Sequence, residues 1–164
     1  MPGPPRGRVQ LRDVTDSDLD VFFAHQQDDE ANWMAGFTAD DPSNDETFRA
    51  HWAKIRSDAS IRNQTILFEG QVAGYVAFFQ LLGKPSIAYW VGRELWGRGI
   101  ATEAVKQFLQ QLPHRPLYAR VASDNVGSIR VLEKTGFVLT GSERAFANAR
   151  GGEIEELVFR RTEP

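Results

Sequence analysis

Val9 and Leu11 alternate with polar neighbours over 8–12, the two-residue period of a half-buried strand. Thr15 then offers a helix N-cap, with Leu19, Phe22 and Phe23 at helical spacing up to His25 and Asp16, Asp18 and Asp20 placed to complement the positive end of the dipole. The stretch 26–44 is polar and broken but carries Trp33, Met34 and Phe37, which fits a short helix under a loop or a mobile lid. Ser43 reads as the next N-cap, with Glu46 completing a capping box and Phe48, Trp52 and Ile55 forming one apolar face. Strands at 64–68 and 72–81 follow, joined at Glu69-Gly70, and a third at 86–92 comes after Gly83-Lys84-Pro85.

The period returns to helical over 100–112, where Ile100, Ala104, Val105, Phe108, Leu109 and Leu112 share a face. A strand at 117–122, a helix at 125–135 stopped by Gly136, and strands at 138–142 and 154–160 complete the order. No internal repeat or interdomain linker interrupts it, so one domain is expected over 8–161, preceded by a disordered Pro/Gly tail at 1–7. Its 164 residues suffice for a core, since a chain of this size buries roughly 70% of its unfolded surface.

Charge and composition narrow the function classes. With 41% hydrophobic and 25% charged residues the chain lies in the globular range. Its net charge of -3 and scattered basic residues give no footprint for a nucleic-acid backbone. Residues 1–8 lack the apolar core of a signal peptide, and no apolar run is long enough for a bilayer, so a cytoplasmic protein without a membrane partner is expected. The absence of cysteine removes disulfides, thiolate metal sites and any acyl-enzyme on a thiol. His25, His51 and His114 stand apart without metal-ligand spacing, and no metal is expected.

Two segments carry the chemistry. In the first, a strand ending Tyr89-Trp90-Val91-Gly92 runs into Trp96-Gly97-Arg98-Gly99-Ile100-Ala101-Thr102 and opens directly into a helix. Unpaired amides and the positive dipole end converge there, where an anion could sit, and Gly97 and Gly99 allow a close backbone approach. The second runs from Ser123-Asp124-Asn125 through Ser128 and Leu132 to Gly136-Phe137. Together they resemble the Gcn5-related N-acetyltransferase superfamily, whose phosphate loop reads Gln/Arg-x-x-Gly-x-Gly/Ala and whose later helix begins with Asn and ends in Gly-Phe. Trp96 departs from the first position of that loop; with Thr102-Glu103-Ala104 after it, it looks like the subgroup that includes the ribosomal-protein N-terminal acetyltransferases. The resemblance is specific over about 64–143.

The resemblance implies an α/β (α+β) fold, a mixed and mostly antiparallel sheet flanked by helices and splayed open between the strands at 86–92 and 117–122. It implies acetyl-CoA as cosubstrate, its pantetheine arm lying in the splay and pairing with the strand edge near Val91. The pyrophosphate would meet the cradle formed by Trp96, Gly97, Arg98, Gly99, Ile100, Ala101 and Thr102. For Arg98 an added charge contact and a solvated surface role both stand open. Asn125, Ser128 and Leu132 lie three and four residues apart on one helix face. Asn125 can cap the helix or contact CoA. The superfamily often holds a tyrosine at the position of Leu132, donating a proton to the departing thiolate, and related members use serine, which makes Ser128 the candidate donor. Packing against the cofactor is the alternative.

An alkyl amine, with a pKa of roughly 10.4, must lose a proton before it attacks. Relatives frequently place a Glu on the strand before the phosphate loop, and 86–91 holds none. Glu30, Asp40, Asp41, Glu143, Glu155 and Glu156 are the candidate bases, while Trp33, Phe37, Trp52, Tyr89 and Trp90 are candidates to wall an acceptor pocket. The expected activity is acetyl transfer to a primary amine by direct attack on the thioester. A small-molecule or amino-acid acceptor is favoured over a protein N-terminus, and a homodimer is allowed for. The alternative is an acyl-CoA-binding module without turnover; a nucleotide-binding domain would need a Gly-Lys-Ser/Thr loop that the chain lacks.

Overall fold

The computed structural model describes residues 7–113 and 116–162. The tail expected to be disordered therefore falls outside the described residues except for Gly7, and His114 lies outside them as well. The chain runs β1 (Val9–Asp13), α1 (Asp16–His25), α2 (Asp29–Ala35), α3 (Asp45–Ser57), β2 (Arg62–Phe68), β3 (Gln71–Leu81) and β4 (Lys84–Val91). A one-turn 3-10 helix (Arg93–Leu95) then leads to α4 (Ile100–Gln110), β5 (Leu117–Ala122), α5 (Val126–Lys134), β6 (Val138–Ala147) and β7 (Gly152–Arg161).

The strands form a single seven-stranded sheet in the order β1-β2-β3-β4-β5-β7-β6. Every pairing is antiparallel except β4 with β5, which is parallel and holds only at Ser86↔Tyr118. That pair lies near the start of both strands, so β4 and β5 part toward Val91 and Ala122. The mixed, splayed sheet flanked by helices is thus present, with the opening where the resemblance puts it.

Each sheet face carries its own core. On one, α4 and α5 bury Phe108, Leu132 and Val105 against Ile66, Val76, Leu117 and Phe159; a fully buried side chain of this size contributes about 1.5–3 kcal/mol. On the other, α1 and α3 pack Phe22, Phe48 and Trp52 beside Tyr75 of β3. Trp52 and Tyr75 meet edge to face with ring centroids 5.1 Å apart. β3 bulges at Ala73, because Ile66 faces Gly74 while Leu67 faces Val72. The bulge lets β4 lie so close that a Cβ on Gly74 would sit 1.8 Å from the Trp90 carbonyl oxygen.

Two local expectations change. The cap of α3 is Asn44, whose side chain accepts from the Thr47 amide, and not Ser43. Asp41 captures the amide and hydroxyl of Ser43 in a tight turn, so Ser43 cannot cap. Asp18, read only as complementing the dipole, does sit in the first turn of α1 but is also buried, 1% exposed. It accepts two bonds from Arg12 at 2.6 and 2.9 Å, one from the Thr15 amide at 2.9 Å and one from the Thr65 hydroxyl at 2.6 Å. Burial pushes its carboxyl up, but these four donors outweigh it and hold Asp18 well below the usual carboxylate range. The stretch 26–44 resolves into α2 followed by a strapped loop. Gln26 and Gln27 both donate to the Pro42 carbonyl, at 2.8 and 2.7 Å, and Asn148 donates to that of Thr38 at 2.8 Å.

Candidate active site

Two clefts meet at the splay. The first, of about 470 Å³, runs along the start of α4 and is lined by Val91, Trp96, Gly97, Gly99, Ile100, Ala101 and Thr102, with Asn125 and Ser128 facing from α5. The second, of about 810 Å³, lies on the α1–α3 side and is lined by Phe22, Phe37, Trp52, Tyr75, Arg120 and Glu156 among others. Ala35, Tyr89, Trp90, Asn125 and Ser128 line both. An occupant of one cleft therefore reaches an occupant of the other through the gap between β4 and β5.

The first cleft is a cradle of backbone. Gly97 and Gly99 both hold φ of 77°, the left-handed region that costs a side chain-bearing residue about 1–2 kcal/mol. The turn aims the chain so that Gly99 caps α4, and the first helical amide with an acceptor one turn back is that of Glu103, on the Gly99 carbonyl at 3.1 Å. The amides ahead of it face the cleft without intrahelical partners, at the positive end of the dipole. Val91 presents its carbonyl to the same cleft. The Gly92 amide of that trans peptide donates to Ala73 of β3 at 2.9 Å, so the Val91 carbonyl points the opposite way, into the splay. There the indole N-H of Trp96 occupies it at 2.9 Å. The edge expected to be free at Val91 is thus partnered by a side chain of the loop itself.

The remaining sequence candidates divide by position. Arg98 is exposed and does not line the cleft; Arg130 and Lys134, one turn apart on α5, supply positive charge there instead. Their four-residue spacing on the face of Val126 was the available signal. Asn125 caps α5, its side-chain oxygen accepting from the Ser128 amide at 3.3 Å, so a ligand would meet the other end of its amide. Leu132 is packed into the core, 1% exposed. The Tyr89 hydroxyl lies 2.7 Å from the Ser128 hydroxyl and 3.1 Å from the Ser128 carbonyl oxygen. Burial pushes the Tyr89 phenol up to about 12, the bond to Ser128 opposing that shift. Tyr89, read from sequence as a wall, brings a phenol to the helix whose own tyrosine position is Leu132.

The carboxylates separate likewise. Glu30 is exposed and paired with Arg93 at 2.9 Å, and Glu143 is paired with Arg120 at 2.9 Å, which holds its carboxyl below the ordinary range. Glu155 is exposed, and Asp41 is committed to Ser43. Asp40 and Glu156 line the larger cleft, Glu156 beside Arg120 at 3.3 Å. Of the aromatics, Phe37, Trp52, Tyr89 and Trp90 line that cleft, whereas Trp33 is 54% exposed and stacks on Arg150, its ring centroid 4.6 Å from the guanidinium carbon. Among the described residues no three His, Cys, Asp or Glu side chains gather as a metal site.

The acetyltransferase (GNAT) domain family matches residues 8–138 of the chain. The uncharacterized N-acetyltransferase p20 of Bacillus licheniformis is 27% identical over 165 residues, covering 93% of this chain and 91% of its own. The putative ribosomal N-acetyltransferase YdaF of Bacillus subtilis (strain 168) is 25% identical over 148 residues, covering 83% and 80%. Among solved structures, Mycobacterium smegmatis RimJ in complex with CoA-disulfide superposes with a TM-score of 0.79 at 23% identity, covering 98% of this chain and 86% of that one. Spermidine N-acetyltransferase from Vibrio cholerae, in complex with CoA and spermine, superposes with a TM-score of 0.76 at 17% identity, covering 93% and 95%.

Proposed function

The chain belongs to the GNAT acetyltransferases, an N-acetyltransferase family that draws on acetyl-CoA, and from that premise we propose that it acetylates the primary amine of a small molecule or amino acid by direct attack on the thioester. The observation that carries this reading is the meeting of the two clefts at Tyr89, Asn125 and Ser128. A thioester in the smaller cleft and an amine in the larger one would share these residues as their common wall. The chain has no cysteine on which to park the acetyl group, which favours direct transfer.

In this reading the amides from Gly97 to Thr102 hold the pyrophosphate and Arg130 and Lys134 add charge to that end. Ser128 meets the departing thiolate. The amine sits toward Glu156, whose carboxylate, shared with Arg120, offers an ammonium an anchor beside the aromatic wall of Phe37 and Trp52. A volume of about 810 Å³ lies within the range of small-ligand sites, roughly 300–1,000 Å³, and the strapped loop over 36–44 borders it, which favours a compact acceptor. A protein N-terminus is the competing acceptor, suggested by the name of YdaF, a putative ribosomal N-acetyltransferase, and by the structural neighbour RimL, a ribosomal L7/L12 alpha-N-protein acetyltransferase.

Release of free thiol from acetyl-CoA, measured across amino acids, polyamines and short peptides, tests the reading. A compact amine bearing an apolar group should exceed the best peptide at least tenfold in kcat/KM. A peptide preference of that size would transfer the assignment to protein N-termini.

A further inference from the structure

Resting on the assignment of Ser128 to the thiolate, the geometry points to Tyr89 and Ser128 acting as one proton shuttle that carries the proton left on nitrogen after attack to the departing sulfur. The observation is the 2.7 Å contact between the two hydroxyls, made across the gap between β4 and α5 by residues that both line both clefts.

A serine with no second hydroxyl behind it protonates a thiolate only at a large energetic cost. CoA's thiol has an acidity near the cysteine value of about 8.5, and a serine that gave up its proton would be left as an alkoxide far more basic than the sulfur it had served. The phenol behind it removes that difficulty. The bound ammonium first gives one proton to water in the open cleft; the neutral nitrogen then bonds to the thioester carbonyl carbon, and the tetrahedral adduct carries a positive nitrogen and a negative oxygen that re-forms the carbonyl. As the C-S bond breaks, sulfur takes the Ser128 proton while Ser128 takes the Tyr89 proton. The tyrosinate, a strong base in its buried setting, then takes the proton from nitrogen. One N-C bond has formed and one C-S bond has broken, one proton has passed from nitrogen to sulfur, and both hydroxyls are as they began. Nothing is oxidised or reduced.

The phenol also lies 3.1 Å from the Ser128 carbonyl oxygen, which keeps it at the first turn of α5; its single proton serves either that carbonyl or the serine hydroxyl, and the shuttle uses the second arrangement.

The test compares Tyr89→Phe, Ser128→Ala and the double variant in single-turnover acetyl transfer, with CoA affinity and Tm measured alongside. Both single variants retain their packing. If the pair is a shuttle, each loses about 10²-fold or more. The double variant loses no more than the worse single one, CoA affinity stays within about threefold, and the curved dependence of the rate on the solvent deuterium fraction becomes linear in Tyr89→Phe. A Ser128→Ala enzyme within about threefold of the parent removes the serine assignment and the shuttle with it. A large loss in Ser128→Ala with Tyr89→Phe near the parent rate keeps the serine and overturns the shuttle, as does a double variant in which the two losses multiply.

Discussion

The indole N-H of Trp96 donates to the carbonyl of Val91 at 2.9 Å, so a side chain from the glycine turn occupies the strand edge that faces the splay. In the proposed binding mode a pantetheine amide competes with that indole for the carbonyl. Trp96→Phe removes the competing donor and keeps a ring at the cleft mouth. A typical net hydrogen bond is worth about 0.5–1.5 kcal/mol, so CoA should bind roughly 2- to 10-fold more tightly. Calorimetry decides it, and weaker binding would mean that the indole stays engaged with the ligand.

Gly97 supports a different substitution. A Cβ there meets nothing within 4 Å, so Gly97→Ala acts only through its φ of 77°. The fold should lose about 1–2 kcal/mol. CoA affinity should fall further than that, at least tenfold, because relaxing the turn moves the amides ahead of Glu103 out of register with an anion. Urea titration and CoA calorimetry on the same variant separate the two effects; unchanged CoA affinity would detach the loop from the phosphate.

Phe37 and Trp33 lie four residues apart and should behave oppositely. Phe37 lines the larger cleft, so Phe37→Ala should raise the amine KM about tenfold to a hundredfold, the loss of a buried phenyl, with the acetyl-CoA KM unmoved. Trp33 stacks on Arg150 at the surface, and Trp33→Ala should cost no more than about 1 kcal/mol of stability and leave both KM values alone. A shift in amine KM from Trp33→Ala would place it in the acceptor site after all.

Asp18 governs an acid-dependent part of stability. Its folded pKa is depressed, so its contribution is complete above the unfolded value of about 3.9 and is lost as pH falls below it toward the folded one. Asp18→Asn should cost about 2–4 kcal/mol at pH 7, since it uncouples Arg12, Thr15 and Thr65 together. The cost should hold down to about pH 4 and shrink below that. Urea midpoints of parent and variant from pH 7 to pH 2 measure it, and a pH-independent gap would remove the charge from the account.

β6, exposed along nearly all of its length, was legible only to 142 and runs on to Ala147, whereas sequence periodicity located the elements that have one strongly apolar face. α4 is the clearest case, its buried residues Ile100, Ala104, Val105, Phe108 and Leu109 being the ones its spacing marks. The glycine turn was legible as tight geometry, which φ of 77° at Gly97 and Gly99 bears out, while its reading as an anion cradle came from the resemblance and not from the two glycines. The burial of Asp18 was not foreseen because three of its donor atoms come from Arg12, on β1, and from Thr65, 47 residues away, and local spacing carries no trace of either pairing. Tyr89 was seen only as an aromatic for the same reason. Its hydroxyl meets Ser128 across 39 residues, through a sheet opening that no one-dimensional pattern describes. Ser43 lost its cap to a competition between neighbours, Asp41 against Asn44, that propensity alone does not rank.

The lone Ser86↔Tyr118 pair makes the sheet two leaves riveted at one point, β1 to β4 on one side and β5 to β7 on the other. Beyond the rivet the facing backbones have no rungs between them, and in the proposed binding mode a cofactor arm laid in the gap would serve as a borrowed strand that the polypeptide does not encode. The enzyme's stiffness thereby becomes partly a property of its substrate supply. Starved of acetyl-CoA, the protein should let the amides of Tyr89 and Val91 exchange with solvent readily, and saturated with it those same amides should be among the slowest.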